Sequence, residues 1–356
     1  MAITIRTEKQ AARLRKLSVL DGVKVYTKLR QDVTKAGILE RDYRYYTLII
    51  FFSFAGFATS VFMVFTTTSY PLLFLWLLVL SFFTVQLAGL LHDSGHRAIF
   101  TSTRNNDLMG ILSATAIGMI HEEWRVKHNR HHANPNVEGV DTDIDIPLLS
   151  FTKERFASKS GLAKMLAPYQ VFFYYPIGIL LAFSLRYNGI EYYIKYFSLK
   201  NALLMVLFAI SLFLWFVMPF FVFSLPKALF VEFVSLSFTG FYAWNIFAPN
   251  HKGHPYLEKG IKFSFLEHQI MTARNVNGHF LTDLFYMGLN YQIEHHLFPN
   301  CPRNKLKLIS PYVKKLSRQL KLDYESVSVL GAARIILKEL SSVAEIGKRP
   351  LPAKAR

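Results

Sequence analysis

The chain has 356 residues, 52% of them hydrophobic and 15% aromatic, with a net charge of +17 and a mean hydropathy of +0.24. So apolar a composition excludes an ordinary soluble domain and points to a membrane protein. The single cysteine, Cys301, excludes a disulfide framework, a four-cysteine zinc site and an iron–sulfur cluster, so redox chemistry here must use other ligands and draw its electrons from another protein.

The N-terminal stretch "IRTEKQAARLRKLS" is charged and has no short apolar core before a cleavage site, so no signal peptide is expected. Lys and Arg concentrate in 1–46 and 303–356, on either side of the apolar region. That is the bias of cytoplasmic segments in membrane proteins, and it makes a nucleic-acid partner unnecessary. Four stretches, 47–67, 71–91, 201–223 and 228–249, each approach the ~20 apolar residues of a spanning helix. "TTTSYP" between the first two reads as an external turn with Pro71 at a helix start. The apolar stretch 107–120 is too short to span. The stretch 169–187, with Pro176 and several tyrosines, suits an interfacial segment. Parity supports this: four crossings return the basic C-terminal flank to the side of the basic N-terminus, and a fifth would not. The expected fold is all-α and integral to the membrane, with four transmembrane helices and a cytosolic helical cap holding a dimetal site. The expected division is a basic cytosolic segment 1–46, a membrane domain 47–310 and a basic cytosolic tail 311–356.

Three histidine clusters stand out among the twelve histidines. "HDSGH" carries His92 and His96, "HNRHH" carries His128, His131 and His132, and "QIEHH" carries Gln292, His295 and His296. Spacings of three and four residues put side chains on one helix face, a turn apart. Each cluster alone is compatible with a solvated patch. Three in so apolar a chain, all on the cytosolic side of the expected spans, read as a metal site. Seven imidazoles exceed the four ligands of a zinc site, so two ions are expected. Imidazole suits Fe, Zn, Cu and Ni about equally. Oxidation of an unactivated hydrocarbon at a membrane face needs a redox-active metal and dioxygen, and iron serves.

The order HxxxH, HxxHH, QxxHH resembles the membrane fatty acid desaturase family. "WRVKHNRHHANPNVEGVDTDID" and "ARNVNGHFLTDLFYMGLNYQIEHHLFPNCPRNK" resemble that family's second and third box regions almost throughout. A glutamine opening the third box is similar to the front-end and related bacterial acyl desaturases. The resemblance implies an oxygen-dependent desaturase in which a non-haem diiron centre and O2 remove two hydrogens from adjacent CH2 groups. It implies one further ligand histidine after an asparagine, which "FAPNHKGHP" supplies as His251 beside Asn250, with His254 the weaker candidate. Gln292 then stands where other branches have a ligand histidine, facing the metal directly or through water. His121, His268 and His279 fall outside the boxes. Carboxylates available to hold the outer imidazole N–H groups are Asp93, Glu294, Asp283 and the run Asp141, Asp143, Asp145, with Asp93 favoured by its place inside the first box. The implied substrate is an acyl chain on CoA or on a membrane lipid. Eukaryotic front-end desaturases usually carry a fused cytochrome b5 domain with a His-Pro-Gly-Gly signature. None is found here, so the expected donor is a separate ferredoxin or cytochrome b5 with its reductase. Three other readings compete. A hydroxylase shares every ligand. An intramembrane metalloprotease would read "HDSGH" as H-E-x-x-H with a shorter acid, and leaves two clusters unexplained. A metal transporter would need polar groups within the spans, which hold almost no ionisable groups apart from Glu232.

Overall fold

The computed structural model describes residues 4–5, 8–146 and 148–348. Residues 1–3, 6–7 and 349–356, the ends of the two basic flanks, and Pro147 lie outside the described residues. Most of the described chain is helix. The first long element, α1 (Val19–Lys35), is capped by Ser18 and packs on the body through Leu29 and Val33. The apolar region opens with α2 (Tyr43–Thr66), where the Asp42 carboxylate accepts the Tyr45 N–H at 3.0 Å. Then α3 (Tyr70–Gly95) starts with its proline in the first turn, where the missing N–H costs nothing. Its 26 residues extend about 39 Å, against a hydrocarbon core of ~30 Å. The helix is longer than that core is thick, and its last turn and C-cap carry His92 and His96.

The stretch 107–120 contributes α4 (Thr103–Ala116), which ends inside the protein. Its last carbonyls are satisfied from outside the helix: Ser211 donates to Thr115, Trp215 to Ala116 at 3.0 Å and Arg186 to Ile117 at 2.8 Å. A buried helix end needs such donors. The next helix, α5 (His121–Ala133), carries the second cluster on its last turns.

The expected interfacial stretch forms α6 (Gln170–Ile179) and α7 (Leu181–Lys195), bent by 65° at their junction. The bend is seated on a later helix through glycine. A Cβ on Gly240 would lie 2.5 Å from the Ile179 carbonyl oxygen, so only glycine lets the two backbones approach.

The stretch 201–223 is not one continuous helix. It is α8 (Ala202–Phe216) followed by the short α9 (Met218–Val222), with the break at Val217. Pro219 explains the break, because it has no N–H to give the Trp215 carbonyl and its ring clashes with that carbonyl. The 15 residues of α8 span only about 22 Å. The last apolar helix is α10 (Leu225–Phe247). Three helices, α2, α3 and α10 with its extension to Asn250, are long and apolar enough to cross a membrane, and the bent pair makes a fourth if counted as one span.

Four later helices pack around the histidine-bearing ends of α3 and α5: α11 (Phe265–Met271), α12 (Gln292–Leu297), α13 (Leu306–Leu320) and α14 (Val329–Lys348). One apolar cluster joins α1, α11, α12 and α13 through Leu29, Ile270, Ile293, Leu297, Ile309 and Val313. A second seats Ile336 and Leu340 of α14 against Ile144, Trp244 and Tyr256. The described part of the basic C-terminal flank is thus packed helix. Two short parallel pairs, Thr4–Ile5 with Tyr256–Leu257 and Asn275–Val276 with Ser326–Val327, tie distant segments together.

Candidate metal centre

The end of α3, the end of α5, the start of the loop after α10 and the whole of α12 meet at one place. His92, His96, His128, His132 and His295 form one group, with one nitrogen from each lying within 4.8 Å of the others. His131, His251 and His296 form a second by the same measure. The ring Nε2 atoms run in a chain: His92 to His295 at 3.1 Å, His295 to His132 at 3.1 Å, His132 to His128 at 3.1 Å. In the second group His131 and His251 face each other through Nε2 at 3.3 Å.

These distances test whether the donors fit an ion. Two nitrogens each about 2.1 Å from one ion lie about 3.0–3.4 Å apart at bond angles between about 90° and 109°. The observed separations fall there. His296 Nε2 and His96 Nε2 are also buried with no hydrogen-bond partner, a state that costs free energy unless something else meets the nitrogen. Burial, and then the neighbouring imidazoles, push His128, His132, His295 and His296 well below the ordinary histidine pKa. They are therefore neutral at pH 7, as metal ligation requires. The donor set fits two ions, one per group.

The outer nitrogens are held by groups of several kinds. His92 Nδ1 lies 3.2 Å from Asp93, whose carboxylate also accepts the Tyr46 hydroxyl at 2.9 Å and pairs with Arg303 at 3.1 Å. So engaged, Asp93 is not an available base, which counts against the protease reading. His131 Nδ1 donates to Asp141 at 3.0 Å, with Asp143 at 3.8 Å. Burial lowers the His131 pKa, but the charge of Asp141 and its hydrogen bond outweigh that and raise it. His251 Nδ1 donates to the Thr272 carbonyl at 2.9 Å, and His296 Nδ1 to the Gln269 side-chain oxygen at 2.8 Å. Gln269 carries no sequence signal, since one amide on a short helix looks like any other. Asn250 donates to Gln292 Oε1 at 3.2 Å, and Gln292 turns its amide nitrogen to His251 Nε2 at 3.0 Å.

Other expected partners lie elsewhere. Glu294 is buried, but its carboxylate accepts Asn275 at 2.6 Å and Tyr324 at 2.7 Å, away from the histidines. Gln292, His295 and His296 share one face of α12 at i, i+3 and i+4, and Glu294 lies off that face. Asp283 accepts from Asn290, and Asp145 pairs with Arg155. His254 pairs with Glu325, His268 donates to the Pro135 carbonyl, and His279 caps Phe280–Phe285. Neither these three nor His121 joins either group.

A cavity of about 420 Å³ runs from the second group into the apolar layer. His128, His131, His251 and Gln292 line one part of it, Val85, Leu91, Ile177, Leu181, Ala243 and Trp244 line another, and charged residues including Lys127, Asp143, Arg186 and Lys252 border it as well. Ligand pockets of this size and character hold small, mostly apolar molecules.

The sequence model of the fatty acid desaturase family matches residues 68–328. The Delta(8)-fatty-acid desaturase of Euglena gracilis is 28% identical over 93% of this chain and 81% of its own length. The Acyl-lipid (9-3)-desaturase of Physcomitrium patens is 29% identical over 89% of this chain, which spans 61% of that relative. The Delta(6)-fatty-acid desaturase of Caenorhabditis elegans is 27% identical over 91% of this chain and 75% of its own length. The family match takes in all three histidine boxes and covers well over half of the sequence, and the chain belongs to the fatty acid desaturase family, an oxidoreductase family.

Proposed function

We propose that this chain is a membrane-bound acyl desaturase that uses two iron ions and O2 to introduce a double bond into an acyl chain carried on CoA or on a membrane lipid. The observation that carries the reading is the meeting of eight histidines in two groups, three of which, His128, His131 and His251, line a cavity with a largely apolar wall. His92, His96, His128, His132 and His295 would hold one ion, and His131, His251 and His296 the other, with Gln292 beside the second. The ions supply the oxidising chemistry, because the C–H bonds of a CH2 group are strong and no side chain can abstract them by acid–base catalysis. The protein's part is to hold the imidazoles neutral, exclude water and fix which carbons reach the site. Asp93, Asp141, Gln269 and the Thr272 carbonyl orient four of the rings.

The topology proposed is four crossings, α2, α3, α8 with α9, and α10, with both termini and the metal site on the cytosolic side. The bent pair α6–α7 supports this by entering and leaving on one side. Gln170 at the start of α6 bonds to Ser150 and Leu340, and Tyr193 near the end of α7 clusters with Ile120 at the start of α5. At the other end Lys227 donates to the Thr67 carbonyl, closing the outer ends of α10 and α2. Residues 47–310 then form the membrane domain between two basic cytosolic segments. Electrons come from a separate carrier of ferredoxin or cytochrome b5 type.

The test is expression in a host of defined lipid profile, with double-bond positions read in total fatty acids by mass spectrometry. A new double bond at one position is expected. A hydroxyl group in its place would move the protein to the hydroxylases of the same scaffold, and no change with iron loaded and donor present would overturn the reading.

A further inference from the structure

Two members of the second histidine group come from segments far apart in the chain. His131 stands on the last turn of α5, and His251 lies in the loop after α10, 120 residues later. Their Nε2 atoms nevertheless face each other at 3.3 Å. A metal site tolerates ligand-distance errors of only about 0.2 Å, so the two segments must be held in register.

Asn136 is placed to hold them. It follows α5 in the turn "NPNVEG" and is fully buried. Its backbone N–H donates to Asp141 Oδ2 at 2.9 Å, the same oxygen that accepts His131 Nδ1 at 3.0 Å. Its side-chain amide donates to the His251 carbonyl at 3.1 Å and to the Pro255 carbonyl at 3.2 Å. Two carbonyls on one side require the NH2 end of the amide there. The Asn136 carbonyl in turn accepts the Leu257 N–H at 3.0 Å. One residue thus grips both the carboxylate that orients one ligand ring and the backbone that carries the other. None of these bonds reaches a histidine of the first group.

The grip needs an uncommon backbone. Asn136 has a φ of +58°, a left-handed conformation that asparagine adopts more readily than most residues with a side chain. Glycine adopts it freely but has no amide to donate. The position calls for a left-handed turn and a short side chain with two N–H donors, and asparagine supplies both. Arg274 holds the His251 loop independently, donating to the Pro249 and Lys252 carbonyls at 3.2 and 2.8 Å. Removing the Asn136 amide therefore leaves the loop attached to the body and takes away its register with His131.

We infer that Asn136 is a positioning residue for the second ion, setting His131 and His251 at the separation one ion needs, while the ion of His92, His96, His128, His132 and His295 does not depend on it. The inference rests on the two-ion desaturase reading, and its test reads the metal separately from turnover.

The test uses the purified full chain loaded with iron enriched in its Mössbauer isotope. The Mössbauer spectrum, iron release to a chelator and thermal unfolding are measured together. Wild type should show two iron environments. Asn136→Gly keeps the left-handed backbone and deletes the amide. It should unfold near the wild-type temperature, keep one iron environment unchanged, and hold the other iron about 10–100-fold more weakly. Asn136→Asp keeps the size and the turn but sets a carboxylate oxygen against the two carbonyls, and should disturb the same environment. A single iron environment in wild type, or wild-type spectra and iron retention in both variants, overturns the proposal. Equal loss of both irons, or unfolding of both variants before iron is released, gives Asn136 a role in the fold alone and overturns it as well. Selective loss of one iron, with no double bond formed by iron-loaded wild type and a working donor, keeps the positioning role and overturns the desaturase reading. Wild-type desaturation with unselective loss does the reverse.

Discussion

At the scale of single residues, the centre depends on each imidazole being present, neutral and correctly turned. Replacing His92, His96, His128, His131, His132, His295 or His296 by Ala should abolish desaturation and lower bound iron, with membrane insertion intact. Near-normal activity in two or more of these variants would sink the two-ion assignment. Asp141→Asn is subtler. It keeps the shape but removes the charge that holds His131 Nδ1 at 3.0 Å, and such outer partners typically change metal affinity or activity by about 10–100-fold. Iron content titrated against a chelator should fall in that range, whereas a merely solvated acidic loop would leave it unchanged. The box histidines were legible because spacing on a helix is a local property. Asp141 was visible only as one acid in a run, and Gln269 was invisible, because the fold and not the chain brings them to a ring nitrogen.

A second residue-scale prediction concerns the anchor of the C-terminal helix. Glu325 lies 3.2 Å from His254 Nε2 and accepts from Arg274 Nε at 3.1 Å, just before α14. The His254 contact, and then the Arg274 charge, overcome burial and hold the Glu325 carboxyl at about 2. The folded pKa is below the unfolded one, so this group stabilises the fold above about pH 4.5 and loses that contribution as pH falls toward 2. At neutral pH Glu325→Gln should cost about 1–3 kcal/mol. Thermal unfolding of wild type and variant should differ at pH 7 and converge only as pH falls to about 2. A gap that persists at low pH would show that packing, not charge, sets the effect.

At the scale of elements, backbone approach decides the shape of the acyl cavity. The bend between α6 and α7 rests on α10 at Gly240, where an added Cβ meets the Ile179 carbonyl at 2.5 Å. That neighbour is backbone and cannot rotate away. Gly240→Ala should therefore push α6 off α10 at a cost of about 1–3 kcal/mol, and it should blur double-bond position, since both helices wall the cavity. Unchanged thermal stability with unchanged product would refute the close-packing argument. This element also shows where sequence reading stops. Hydropathy found α2, α3 and α10 because each is a long uninterrupted apolar run. It took 201–223 as one helix because a window average does not register Pro219, which splits α8 from α9. It marked 169–187 as special from Pro176 and the tyrosines, but the break falls after Ile179, where Gly240 makes room.

At the scale of the whole molecule, the remaining question is where electrons enter. Formation of one double bond takes two electrons from the substrate, and reduction of O2 to water takes four, so two must arrive from outside. The described structure holds no second redox group among its side chains: Cys301 is the only cysteine of the sequence and is buried against the Ile38 carbonyl. The chain with substrate, iron and O2 alone is therefore expected to be inactive, and to recover with a small acidic carrier and its reductase. The net charge of +17, concentrated in the two flanks, would draw such a carrier across a Debye length of ~10 Å at moderate salt and raise its on-rate. Turnover at limiting carrier should fall as ionic strength rises, and should become insensitive to salt when the carrier is saturating. If the flanks serve only to set membrane orientation, salt will leave the limiting-carrier rate unchanged. That outcome, or steady turnover with no carrier, removes the docking role of the flanks and leaves the metal site as it stands.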